Sequence, residues 1–161
     1  MMALNLPDTI KFVITDFDGI VTDNCVYIDS KGEMTRKLNF KDVMAFSILR
    51  KNGYHIGIVS GEKNSAIEII AKKFKVEEVH QDIRVKIDII KSIIERYKLK
   101  KDEFVYIGDD INDLESLKFA KYAITVPDAV NQVKAIEGIQ TTTAHGGNGA
   151  FREIVDCLVN P

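Results

Sequence analysis

Apolar residues recur along this chain with two different periods. Short apolar runs between turn residues read as buried strands, and spacings of three and four read as amphipathic helices. Residues 11–15 form the first run, set between Pro7 and a cluster containing Asp16 and Gly19. Residues 26–28 and 34–38 flank Asp29, Ser30 and Gly32, which carry turn chemistry, so a β-hairpin is expected there. A helix over 43–52 stops at Gly53. A strand over 55–60, a helix over 65–74 and a short strand over 76–79 follow. The next helix, 85–97, carries Ile87, Ile90, Ile93 and Ile94 on one stripe opposite lysine and glutamate. A strand over 104–107 ends in Gly-Asp-Asp. After it come a helix over 112–119, a strand over 123–126, a helix over 128–136, an edge strand over 138–142 and a closing helix over 149–158.

Strands thus alternate with helices after the early hairpin. That order predicts an α/β three-layer sandwich with a mainly parallel sheet and right-handed crossovers. No linker, repeat or low-complexity tract interrupts it, so residues 1–161 are expected to form a single domain.

Composition narrows the function without choosing it. Apolar residues make up 45% and charged residues 29% of the chain, as in ordinary globular proteins. The net charge of −2 offers no attraction to nucleic acid or an anionic membrane. No apolar run is long enough to suggest a membrane span, and no secretory leader opens the chain. Cys25 and Cys157 form no metal-binding spacing and are expected to be thiols of a reducing compartment, so the cytoplasm is the expected location.

Candidate chemistry lies where the strands end. In doubly wound sheets the ligand crevice lies beyond the carboxyl ends of the strands. Asp16-Phe17-Asp18-Gly19 follows the first strand, Ser60-Gly61-Glu62 the second main strand, and Gly108-Asp109-Asp110 with Asp113 the strand over 104–107. Carboxylates gathered on one edge repel one another unless a cation sits among them. Oxygen ligands of this kind suit Mg²⁺, which keeps several waters and often meets substrate phosphate.

These segments resemble the four motifs of the haloacid dehalogenase superfamily. Asp16 to Thr22 is similar to DxDGxxT, Ser60 to the second motif, Lys86 to the third, and Gly108 to Asp113 to GDDxxD. The resemblance implies that Asp16 is a nucleophile forming an aspartyl phosphate. It implies that Asp18 protonates the leaving oxygen and then deprotonates water. Asp16, Asp109 and the backbone carbonyl of Asp18 would hold Mg²⁺. Ser60 and Lys86 would bind phosphoryl oxygens, with Asp110 and Asp113 orienting water and Lys86. An acid two residues after the nucleophile suits a phosphatase, because a leaving alkoxide needs a proton.

The likeness narrows further. Too little chain separates the first two motifs for an inserted cap domain, and the hairpin stands there instead. The ending Gly146-Gly147-Asn148-Gly149-Ala150-Phe151-Arg152-Glu153 resembles that of the capless 3-deoxy-D-manno-octulosonate 8-phosphate phosphatase family. This resemblance implies a phosphorylated sugar acid as substrate and a homotetramer in which a neighbouring subunit closes each site. Octulosonate enzymes usually carry Gly-Arg after the second-motif residue, whereas this chain has Gly61-Glu62-Lys63. That version looks like the related nonulosonate 9-phosphate phosphatases, as does Lys73. Gly61, Glu62, Lys73 and Arg152 are therefore the expected substrate contacts. Both branches usually have an arginine where this chain has Ile70. Two rivals stand beside the enzyme reading: a weakly active phosphatase-like assembly module, and a phosphorylated signalling receiver. A receiver separates its acidic pair from its phosphorylated aspartate on different strands, unlike DxDGxxT.

Overall fold

The computed structural model describes residues 4–160. A first strand, β1 (Phe12–Thr15), leads to the hairpin β2 (Tyr27–Ile28) and β3 (Met34–Thr35). There follow α1 (Phe40–Lys51), β4 (His55–Val59), α2 (Ser65–Phe74), β5 (Glu78–His80), α3 (Lys86–Arg96) and β6 (Phe104–Ile107). A 3-10 turn (Ile111–Asp113) precedes α4 (Leu114–Phe119), β7 (Tyr122–Thr125), α5 (Asn131–Lys134), β8 (Gln140–Thr141) and α6 (Ala150–Val159).

Six strands form one parallel sheet in the order β5-β4-β1-β6-β7-β8, and β2-β3 stand apart as an antiparallel pair. β1 is central: Thr15 lies between Ile58 and Ile107, and Phe12 between His55 and Phe104. Strands covered on both faces need apolar residues throughout. Accordingly, every residue of β1 and β6 is buried. The chain moves outward from β1 to β4 and β5, then returns to β6 on the other side. The loops after β1, β4 and β6 consequently part at a switch point and leave a crevice.

α1 packs on α2 and α6, while α3 packs on α4 and α4 on α5. Right-handed crossovers place α1 and α2 on one face and α3, α4 and α5 on the other, giving the expected three layers. Phe46 of α1 meets Phe151 of α6 with ring centroids 4.7 Å apart. Each such fully buried apolar side chain contributes about 1.5–3 kcal/mol relative to exposure.

Element ends differ from the periodic pattern for local reasons. α1 starts before residue 43 because the Asn39 side chain accepts the Lys41 N–H and caps the helix there. The helix expected over 128–136 shrinks to α5. Val130 is extended and its N–H bonds the carbonyl of Asp109, so the preceding residues brace the β6 loop instead. Cys25 and Cys157 are free thiols. Among the described residues, no helix is long and apolar enough to cross a membrane.

Candidate active site

Three strand ends converge on a cavity of about 380 Å³. Asp16, Asp18, Ser60, Gly61, Glu62, Asp109 and Asp110 line it, together with Asn24, Ile83, Arg84 and Asn112. Asp16 extends β1 by one ladder bond, its N–H donating to the Ile107 carbonyl at 2.9 Å. Ser60 follows β4 and donates its N–H to the His80 carbonyl at 2.9 Å. Its own carbonyl accepts the Ile83 N–H at 3.1 Å. The loops after β4 and β5 are therefore pinned together at the crevice.

Lys86 enters from the first turn of α3 and is fully buried. Its Nζ lies 2.7 Å from Asp16 Oδ2 and 2.8 Å from Asp113 Oδ1. Tyr106 also donates to Asp113 Oδ1, at 2.6 Å. Asp113 Oδ2 accepts the N–H groups of Asp109 and Asp110, both at 3.1 Å. Both oxygens of Asp113 are thus taken by protein donors. Asp110 caps the 3-10 turn by accepting the Ile111 N–H at 2.7 Å.

Asp18 lies at the mouth. Its Oδ1 accepts the Thr22 hydroxyl at 3.0 Å and Arg36 Nε at 2.8 Å. Gly19 has φ +90, and a Cβ there would sit 2.0 Å from Asp109 Oδ2. Only glycine lets the loop after β1 approach Asp109 this closely.

Burial dominates the electrostatics. It pushes the Asp16 carboxyl well above its ordinary range; Asp113 adds to the rise, and Lys86 opposes it. Burial, then Asp113 and Asp110, raise Asp109 to about 7. For Lys86, burial works against the charge, but Asp16 and Asp113 more than offset it and the ammonium is held. Burial, reinforced by Asp113, likewise keeps the Tyr106 phenol protonated and able to donate.

Asp16, Asp109 and Asp113 each offer an oxygen within 4.8 Å of the others. Asp109 Oδ1 is buried with no hydrogen-bond partner among the described residues. Three carboxylates against one lysine leave a charge deficit that a small divalent cation balances. The donor set therefore fits Mg²⁺, which Asp109, through its unpartnered Oδ1, and Asp16, whose oxygens each accept one protein donor, would hold.

Not every expected residue is in the cavity. Lys73 and Arg152, read from the sequence as substrate contacts, do not line it within one chain. Lys73 sits on α2 with its ammonium 5.5 Å from the Phe74 ring centroid. Arg152 Nε is bonded to Asp156 Oδ1 at 2.7 Å along α6, beside a separate groove. Ile70, at the position of the absent arginine, is only 2% exposed and belongs to the apolar face of α2 with Ile67 and Phe74. Asp42 serves the end of the chain, accepting the N–H groups of Gly149 and Arg152 at 2.9 and 3.0 Å. That cap holds the Gly146-Gly147 turn, where Gly147 donates its N–H to the Ile20 carbonyl at 2.9 Å. A Cβ on Gly146 would lie 1.9 Å from the Gly19 carbonyl oxygen.

Arg36, Arg84 and Tyr106 escaped the sequence reading. Arg36 follows a hairpin strand with no motif around it, and Arg84 is one cation among many. Tyr106 reads as an ordinary apolar member of β6.

The family model of the haloacid dehalogenase-like hydrolases matches residues 35–121. The chain belongs to this family. It is an enzyme of the hydrolase class. The 3-deoxy-D-manno-octulosonate 8-phosphate phosphatase KdsC of Haemophilus influenzae is 28% identical over 158 residues, covering 94% of this chain and 84% of the relative. The crystal structure of the corresponding Moraxella catarrhalis phosphatase, in complex with magnesium ion, phosphate ion and KDO, superposes with a TM-score of 0.88. It is 27% identical and covers 94% of this chain and 87% of its own. A putative hydrolase of the same superfamily from Streptomyces avermitilis is 32% identical with a TM-score of 0.89, covering 99% of this chain and 90% of its own. These neighbours fit the capless branch expected from the motifs and the hairpin.

Proposed function

We propose that the chain is a Mg²⁺-dependent phosphatase acting on the phosphate monoester of a 2-keto-3-deoxy sugar acid, 3-deoxy-D-manno-octulosonate 8-phosphate. The observation that carries this reading is the buried ammonium of Lys86 between Asp16 and Asp113, beside Asp109 and at the foot of an open cavity. The named octulosonate phosphatases among its relatives supply the substrate class.

In the first step a carboxylate oxygen of Asp16 attacks phosphorus. The bond from phosphorus to the sugar oxygen breaks, and Asp18 gives that oxygen a proton. In the second step Asp18, now a carboxylate, takes a proton from water as the water attacks the same phosphorus. The bond to Asp16 breaks, inorganic phosphate leaves, and both aspartates return to their starting states. The covalent route replaces one hard displacement with two easier ones. Mg²⁺ bound by Asp16, Asp109 and the Asp18 carbonyl would neutralise phosphate charge and lower the repulsion between two anions. Lys86 and the Ser60 hydroxyl act on the equatorial oxygens, where transition-state charge is spread. Asp113 holds Lys86 and, through two N–H bonds, the backbone of Asp109 and Asp110.

Glu62 in the cavity wall favours a second substrate, a nonulosonate 9-phosphate, because its carboxylate can accept sugar hydroxyls. The hairpin supports a homotetramer: Tyr27, Ile28 and Met34 are exposed, and Phe40 beside them is 80% exposed. One domain spanning residues 1–161 and a cytoplasmic location complete the reading.

Phosphate release from octulosonate 8-phosphate and nonulosonate 9-phosphate, with and without Mg²⁺, tests it. Mg²⁺-dependent turnover of one substrate, abolished in Asp16→Asn, is expected. A stable oligomer with no turnover on either substrate would instead favour the assembly module.

A further inference from the structure

We infer that Arg84 is the residue that recognises a second anionic group of the substrate, a carboxylate at the end remote from the phosphate. This inference rests on the reading of the chain as a sugar-acid phosphatase and extends it to specificity.

The cavity wall is strongly acidic. Asp16, Asp18, Glu62, Asp109 and Asp110 all contribute to it, and the cationic side chain among the lining residues is Arg84. Lys86 is buried at the phosphate end of the site, between Asp16 and Asp113. Arg36 is committed to Asp18. Arg84 is exposed and has no hydrogen-bond or ion-pair partner among the described residues.

A dianionic phosphate is met by Lys86, Ser60 and the cation site. A carboxylate elsewhere on the same substrate would face Glu62 and Asp110, and like charges at close range are unfavourable. A guanidinium at the mouth reverses that sign. Its planar fork matches a carboxylate in a bidentate pair.

The backbone beneath Arg84 is fixed. Ile83 donates its N–H to the Ser60 carbonyl at 3.1 Å, and the Gln81 side chain accepts the Asn64 N–H at 2.9 Å. Lys86, two residues on, is anchored at the nucleophile. A side chain springing from such a braced segment loses less freedom when a ligand engages it. The position of the absent arginine, Ile70, is buried and offers no substitute.

Arg84→Gln and Arg84→Lys test the assignment, with octulosonate 8-phosphate and p-nitrophenyl phosphate as substrates. Arg84→Gln is expected to lower kcat/KM on the sugar-acid phosphate about 10- to 100-fold, chiefly through KM. Activity on p-nitrophenyl phosphate, which has no carboxylate, is expected to stay within about threefold. Arg84→Lys keeps the charge without the fork and should fall between. An equal loss on both substrates would make Arg84 a phosphate contact and overturn the inference. No loss on either would make it a solvated charge and overturn it too.

If the wild-type enzyme turns over neither octulosonate nor nonulosonate phosphates, the proposed function fails, and 6-phosphogluconate against glucose 6-phosphate tests Arg84 separately. The pair serves as substrates, or as competitors of p-nitrophenyl phosphate hydrolysis. Preference for the carboxylated member, lost in Arg84→Gln, supports the inference. No preference in the wild type, or preference retained in the variant, sinks it.

Discussion

Arg36 donates from Nε to Asp18 Oδ1 across 2.8 Å, tying the hairpin to the loop that follows β1. The Arg36 side chain is nearly buried although the adjoining strand is exposed. With Thr22 on the same oxygen, the Asp18 carboxylate is held in one orientation, while its Oδ2 has no hydrogen-bond partner among the described residues. Arg36→Gln is expected to reduce kcat about tenfold, the scale of a charge-assisted hydrogen bond, with Mg²⁺ activation unchanged. A double-mutant cycle with Asp18→Asn checks it. The two effects should be strongly non-additive, because both act through one carboxylate.

Lys86→Met is expected to remove activity and to destabilise the fold together. Breaking a buried ion pair from one side leaves uncompensated charge, at a cost of about 3–5 kcal/mol. Asp16 and Asp113 would both lose their cation. Urea unfolding in EDTA measures the loss. Added Mg²⁺ should recover part of it by returning positive charge to the cluster.

The acidic cluster also sets a pH dependence. Asp109 is raised to about 7 and Asp16 is raised as well, in both cases chiefly by burial. Between the ordinary carboxylate range and about pH 7, the folded chain keeps protons that the unfolded chain has released. Stability without metal is therefore expected to fall as pH rises through that window, by on the order of a few kcal/mol. Thermal melts in EDTA at pH 5 and pH 8 should show the higher midpoint at pH 5. Because Mg²⁺ competes with those protons, its stabilising effect should be larger at pH 8.

Ile70→Arg, the substitution that restores the arginine usual in the wider family, is expected to cost stability rather than restore a contact. Ile70 packs in the core, and an arginine there would bury an unpaired charge. A loss of several degrees in the thermal midpoint, with no gain in kcat/KM on octulosonate 8-phosphate, is the expected result.

The parts of the site that follow strands were legible because each obeys a local rule. Asp16 and Ser60 stand directly after apolar runs and Asp109 one glycine beyond its own, and a parallel sheet carries such ends to one edge. Lys86 was legible as a motif residue, but not its burial between two aspartates. Arg36 and Arg84 were not legible. Their positions depend on how a hairpin folds over the loop after β1, and on how the loop after β5 bonds to Ser60, and neither contact has a sequence period. Lys73 and Arg152 lie outside the cavity of their own chain. Their sequence positions fit a family pattern, and within one chain Lys73 stands near the Phe74 ring and Arg152 pairs with Asp156. The periodic pattern overextends α5 because the Val130 N–H bonds the distant Asp109 carbonyl, a contact without sequence period.

The Gly146-Gly147 turn has a consequence for the order in which the molecule is made. It braces the loop after β1, yet its own anchor, the bond from Gly149 to Asp42, closes across 107 residues of chain. On the ribosome, Asp16 emerges well before the Gly146-Gly147 turn that braces its loop. Contacts so distant in sequence form late, because loop closure must precede them. Until residues 146–152 dock, the acidic loop is a nascent segment without its brace. The shape of the acidic loop is thus expected to depend on the docking of residues 146–152 rather than on the early pairing of β1 alone.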